Sequence, residues 1–224
     1  MRILAVVAAL LLFPAGALAG DSPTFHPFAT LSVGMGLAQD NAAVTVVPVG
    51  GLSLATVDLK GVAAIGALFG VNAGLDLRYG GLFAGVKAGY QRSWLQQSLD
   101  ASIPLLGVNF HAEGSLDESI LALARLGWTL STVPVYLTGG WVWSWASSRV
   151  SLNGSPSLAD TVTQNGPAVG IGAQPSITDS WFLELEYLVV FYQRIPLPTL
   201  AGALADVQVR SLNAAFTISG GYRF

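Results

Sequence analysis

"WFLELEYLVVFYQ", Trp181 to Gln193, holds two acidic residues inside a run that is otherwise almost wholly apolar or aromatic. Every second residue separates Trp181, Leu183, Leu185, Tyr187, Val189 and Phe191 from Glu184 and Glu186. A period of two belongs to a β-strand with two unlike faces. An apolar strand face can look into a protein core or out at lipid, and the two choices give different molecules.

The same grammar recurs along the chain. "FATLSVGMGLAQ" sets Leu31, Val33, Met35 and Leu37 against Thr30, Ser32, Gly34 and Gly36. "IGALFGVNAGLDLR" (65–78), "LFAGVKAGYQ" (82–91) and "ILALARLGWTL" (120–130) alternate in the same way. So do "VYLTGGWVWSWAS" (135–147), "AVGIGAQPSI" (168–177) and "SLNAAFTISGGYRF" (211–224). That predicts eight strands of about 10 to 15 residues, enough to cross a bilayer when tilted. Short turns are expected at "RYGG" (78–81), "STVP" (131–134) and "TDS" (178–180). Long loops are expected at roughly 39–61, 93–117, 149–166 and 195–208.

Composition decides the orientation of the faces. The 224 residues are 52% hydrophobic and only 10% charged, with mean hydropathy +0.58, whereas soluble domains carry roughly 25% charged residues. The longest interior apolar run, "GVAAIGALFGV" (61–71), is too short and Gly-rich for a membrane helix. A lipocalin-like soluble barrel would crowd its polar face with Lys and Glu. Here that face is mostly Gly, Ser, Thr and Ala, which suits the narrow interior of an eight-stranded barrel. The apolar face then meets hydrocarbon. The prediction is all-β: an eight-stranded antiparallel up-and-down transmembrane β-barrel.

"MRILAVVAALLLFPAGALAG" combines Arg2, an apolar stretch and Ala17-Leu18-Ala19. It reads as a secretory signal peptide over 1–19 rather than an uncleaved anchor, leaving 20–224 as the barrel domain. Cleavage moves the net charge from −3 to about −4, too weak to suggest nucleic acid. Cysteine is absent, so stability rests on backbone ladders and packing. Short turns with long opposite loops are the habit of outer-membrane barrels, with turns and both termini periplasmic.

At "ARLGWTLSTVPVYLTGGW" (124–141), "WFLELEY" (181–187) and the terminal "GGYRF" (220–224) the chain resembles small outer-membrane barrels of the OmpA-like, opacity-protein type. An Arg-x-Gly-aromatic strand leads there to Tyr-x-x-Gly-Gly, and a closing strand ends in Tyr-x-Phe. The resemblance implies a Gram-negative outer-membrane location and a structural or surface-contact role. It also implies that Phe216, Ile218, Tyr222 and Phe224 form a signal read by the barrel-assembly machinery. Apolar loops such as "IPLLGVNF" (103–110) depart from the pattern and count against a loop-borne adhesin role.

Several residues invite functional readings. Inward-facing Lys87, Arg125, Glu184 and Glu186 fall at similar depth, with Asp76 and Arg78 nearer the periplasmic rim. Charges in a dry lumen must pair, so Lys87 and Arg125 are expected to join Glu184 and Glu186 as a plug, or else as an ion path. Arg92 and Arg210 break parity towards lipid; they are either loop residues or contacts for lipopolysaccharide phosphates. Trp94, Trp128, Trp143, Trp145, Trp181 and Tyr187 are expected in aromatic girdles rather than in a carbohydrate platform. His26 and His111 are the only histidines. His111 with Glu113 and Ser115 has triad residue types without triad geometry, so no catalytic residue, metal site or cofactor is expected. The expected partners are outer-membrane lipid, lipopolysaccharide and the assembly machinery, with the chain a monomer. The alternatives are a small pore or OmpW-like carrier using Leu68, Leu121 and Leu123, and a lipid A-modifying enzyme resting on His111.

Overall fold

The computed structural model describes residues 23–47, 55–103, 108–152, 159–192, 195–196 and 204–224. Side chains are described for 23–39, 64–96, 114–147, 161–192 and 212–224. The segment read as a signal peptide lies outside them. Nine strands follow one another: β1 (Thr24–Val47), β2 (Ala55–Tyr79), β3 (Leu82–Ile103), β4 (Val108–Leu130), β5 (Val133–Leu152), β6 (Ala159–Ala173), β7 (Trp181–Phe191), β8 (Ile195–Pro196) and β9 (Leu204–Arg223). Each long strand pairs antiparallel with its neighbours, and β1 pairs with β9 from Phe28↔Arg223 to Val47↔Leu204, closing the wall. The two-residue β8 lies on β9 beyond the end of β7, so the barrel wall is eight-stranded.

Turn chemistry fixes one end. Gly80 takes φ +56° between β2 and β3, a left-handed conformation that costs glycine nothing. Ser131 holds φ 59° between β4 and β5. Segment 174–180 joins β6 to β7, and Thr178 Oγ1 accepts the Trp181 amide at 3.0 Å. The start of β1 at Thr24 and Phe224 both lie at this turn end, where the Phe224 amide donates to Pro27 O at 2.9 Å.

The eight wall strands are longer than 10–15 residues, except for β7 at 11 and β6 at 15. β1, β2, β3 and β4 run 24, 25, 22 and 23 residues, taking up much of the expected loops 39–61 and 93–117. An 11-residue strand tilted about 40° rises about 28 Å, close to the hydrocarbon thickness. The surplus pairs as hairpin stems past that layer. In these stems Val44 stands opposite Val57 and Thr45 opposite Thr56.

The faces divide as the period requires. Leu31, Val33, Met35, Ile65, Val86, Leu137, Ile171 and Ile218 are exposed on the outer wall, forming an apolar belt. Thr30, Ser32, Asn72, Lys87, Arg125, Thr138, Glu184 and Ser219 are buried inside it.

Candidate functional site

Glycines shape the lumen before any charge enters it. Four inward aromatic rings each lie over a glycine directly across the strand ladder: Phe28 over Gly74, Phe83 over Gly127, Tyr136 over Gly172 and Phe182 over Gly221. A Cβ on Gly74, Gly172 or Gly221 would collide with the ring it faces, and one on Gly127 would press on Phe83 and on Val135 O. The rings cover these bare positions, a known means of protecting strand glycines. They meet in two edge-to-face pairs, Phe28–Phe182 at 6.1 Å and Phe83–Tyr136 at 6.0 Å.

Arg125 threads between these rings, its Cζ 4.0 Å from the Phe28 centroid and 5.4 Å from that of Tyr136. It reaches Asp76 across Gly85, which stands opposite both residues and has no side chain to block the way. Nε donates to Asp76 Oδ1 at 2.9 Å and Nη2 to Oδ2 at 2.8 Å, a bidentate pair. Nη1 donates to Glu184 Oε2 at 3.0 Å. Lys87 Nζ then bridges Glu184 Oε1 at 2.8 Å and Glu186 Oε2 at 2.7 Å. Gln174 donates to Glu184 at 2.9 Å, and the Tyr136 hydroxyl to Glu186 at 3.4 Å.

Two placements differ from the expectation. Asp76 belongs to the centre of the cluster rather than the rim, because the stagger of β2, β3 and β4 sets it level with Arg125. Arg78 stays outside the ion pairs, half-buried, 5.9 Å from the Phe83 centroid. Its Nε and Nη2 have no hydrogen-bond acceptor among the described residues. Arg223 and Gln174, absent from the sequence-based set, sit beside it: Arg223 donates to Ser176 at 3.0 Å and Gln174 at 3.3 Å.

Towards the loop end the lumen divides. On one side Asn72 donates to Thr30 at 3.0 Å and Ser32 at 2.8 Å, and Ser219 donates to Ser32 at 2.9 Å. On the other, Leu121, Leu123, Val142, Ala168, Leu188, Val190 and Tyr192 form one buried apolar cluster. Ser144 links Ser119 and the Tyr192 hydroxyl, both at 2.7 Å. Leu68, Leu121 and Leu123 are all buried, the last two within this cluster.

The outward aromatics fall into two groups. Trp128 and Trp181 lie at the turn end, and Trp181, Tyr222 and Phe224 form a ladder with 5.1 Å centroid spacings. Trp94, Trp143 and Trp145 lie towards the loop end. Tyr187 sits within β7, opposite Phe216 and Ile171, rather than at either edge, since aromatic type says nothing about depth. Phe216 and Ile218 are exposed on the same face of β9. Arg92 is exposed opposite Glu118, itself hydrogen-bonded to Tyr90, at a bulge in each of β3 and β4. The side chains of Arg210 and His111 lie outside the described residues. His26 Nε2 is 3.0 Å from Thr24 Oγ1 at the turn-end rim.

Comparison with known proteins points the same way. The family described as outer membrane protein beta-barrel domain matches residues 5–224. The 31 kDa outer-membrane immunogenic protein of Brucella melitensis is 31% identical over 138 residues, covering 53% of this chain and 57% of that protein. The chain therefore spans little more than half the length of that relative. Among solved structures, the outer membrane protein OprG of Pseudomonas aeruginosa superposes with a TM-score of 0.52 at 13% identity, covering 88% of this chain and 95% of that one. The outer membrane protease OmpT of Escherichia coli does so with a TM-score of 0.51 at 12% identity, covering 94% and 99%. At such identities the likeness concerns the fold alone.

Proposed function

This chain belongs to the outer membrane protein beta-barrel domain family and is an outer-membrane protein, and from that premise we propose a barrel plugged by its own side chains, with a structural or surface-contact role. One observation carries the reading: the Asp76–Arg125–Glu184–Lys87–Glu186 chain spans the lumen from β2 and β3 to β7, beneath the packed cluster around Leu121 and Leu188. Ions would have to part charges that hold one another in a dry interior. In planar bilayers the wild-type barrel shows no steady open level under this reading, and a steady open channel overturns it.

The turn end, carrying both chain ends, faces the periplasm in this reading, and the hairpin stems rise from the outer surface. The Brucella relatives are named as immunogenic, a property that an exposed outer surface would allow here too. We assign residues 1–19 to a cleaved signal peptide and the outward face of β9, Phe216 to Phe224, to the assembly machinery. Arg92 and Arg210 are assigned to lipopolysaccharide phosphates. No catalytic role is part of this reading, and His26 sits at the rim beside Thr24.

A further inference from the structure

Arg78 and Arg223 crown the lumen at the turn end, and neither is ion-paired to a carboxylate among the described residues. Asp76, two residues from Arg78, has both oxygens occupied by Arg125. In this half of the lumen four basic side chains (Arg78, Lys87, Arg125, Arg223) stand against three side-chain carboxylates (Asp76, Glu184, Glu186) among the described residues. Arg223 is buried, and its two terminal nitrogens donate to the neutral oxygens of Ser176 and Gln174. Its Nε has no hydrogen-bond acceptor among the described residues, nor have Nε and Nη2 of Arg78. Buried charged donors without acceptors are costly and rare, and call for an acceptor from outside the side-chain set.

The rings aim these groups. Arg223 Cζ lies 4.3 Å from the Phe182 centroid and Arg78 Cζ 5.9 Å from that of Phe83. A guanidinium held over a ring keeps its N–H edge for an oxyanion. Thr24 and His26, hydrogen-bonded at 3.0 Å, add polar atoms on β1. Thr24 is exposed and Arg78 half-buried, so the group opens at the turn end. The two arginines come from β2 and β9, on either side of β1. A carboxylate offers two oxygens in one plane, whereas phosphate offers oxygens in several directions and can serve two guanidinium planes.

We propose that Arg78 and Arg223, flanked by Thr24 and His26, form a phosphate-binding cup at the turn-end mouth of the barrel. The phosphate comes either free or on a lipid headgroup at the rim. The test uses the folded full chain in a phosphate-free maltoside detergent, following the arginine Nε–H resonances by NMR. Inorganic phosphate is titrated against chloride at constant ionic strength. A second arm replaces it with phosphatidylglycerol, with phosphatidylcholine, which lacks the net charge, alongside. Saturable shifts of Arg78 and Arg223 are expected in at least one arm, with binding weakened about tenfold or more by Arg78→Gln. Ser147→Ala, bonded to Asp117 at the loop end of the barrel, is expected to leave it unchanged. A shift with free phosphate assigns a soluble ligand, and one with phosphatidylglycerol alone assigns a headgroup. No saturable shift in either arm, or an undiminished one in Arg78→Gln, overturns the proposal. Arg78 is only half-buried, so that variant stays informative if Arg223→Gln fails to fold.

Discussion

Replacing Arg125 with Met tests whether the lumen is held by pairing or merely filled. Met preserves much of the volume, so the loss is chiefly electrostatic. Both Asp76 oxygens lose their donor, and Asp76 is buried with a relative exposure of 1%. Glu184 loses one bond but keeps Lys87 and Gln174. The dominant cost is therefore one unpaired buried carboxylate, about 3–5 kcal/mol. Loss of the cation–π contact with Phe28 adds about 1 kcal/mol. The informative partner is Asp76→Asn/Arg125→Met, which removes the stranded charge and leaves at worst an unsatisfied amide, costing about 1–3 kcal/mol. The double variant is expected to be about 2 kcal/mol more stable than Arg125→Met alone. Urea titration of the barrel in phospholipid vesicles, read by tryptophan fluorescence, measures both. Additive losses in the double variant, or an Arg125→Met barrel within about 1 kcal/mol of wild type, would refute the pairing argument.

Gly172→Ala drives a methyl group into the Tyr136 ring and should cost about 1–3 kcal/mol, whereas Gly220→Ala, with no atom within 4 Å of the new Cβ, should be near neutral in the same titration. Equal effects would remove the ring-on-glycine account. Deleting Phe224 removes one member of the Trp181–Tyr222–Phe224 ladder and the bond from its amide to Pro27 O. In cells the assembled, heat-modifiable fraction should fall sharply while refolding in detergent persists; unchanged assembly would count against β9 as a recognition signal. Arg92→Gln should weaken lipopolysaccharide binding, and Glu118→Gln should strengthen it by removing a negative charge from the position opposite. Opposite signs in a surface-binding assay would end that assignment.

How far the sequence spoke depended on whether a feature was local to one strand. Which of Leu183 and Glu184 meets lipid follows from strict alternation, so the closed eight-stranded wall was readable from single segments. The turns at Gly80 and Ser131 were readable for the same reason. Strand length was not, because the stems carry Asp40, Asn41, Asp58 and Lys60, polar residues that read as loop although the backbone goes on pairing there. Depth was read only approximately. Asp76 lies deeper than its own segment suggests, because its level depends on the stagger between β2, β3 and β4, which no single segment contains.

The missed residues share one physical cause. Phe28, Phe83, Tyr136 and Phe182 stand on the lumenal face, and Gly74, Gly127, Gly172 and Gly221 are their cross-strand partners. A glycine in a strand usually marks weakness or a close approach, and within its own segment it carries no further meaning. Across the ladder it is a slot for a ring, and all four rings in turn orient Arg78, Arg125 and Arg223. The placement of charge thus depends on the placement of glycine two steps removed. A replacement at Gly85 should disturb the Arg125–Asp76 pair as directly as changing either partner, since its Cβ would collide with Asp76 Oδ1. In a barrel this narrow, the residues without side chains decide where the charged ones can meet.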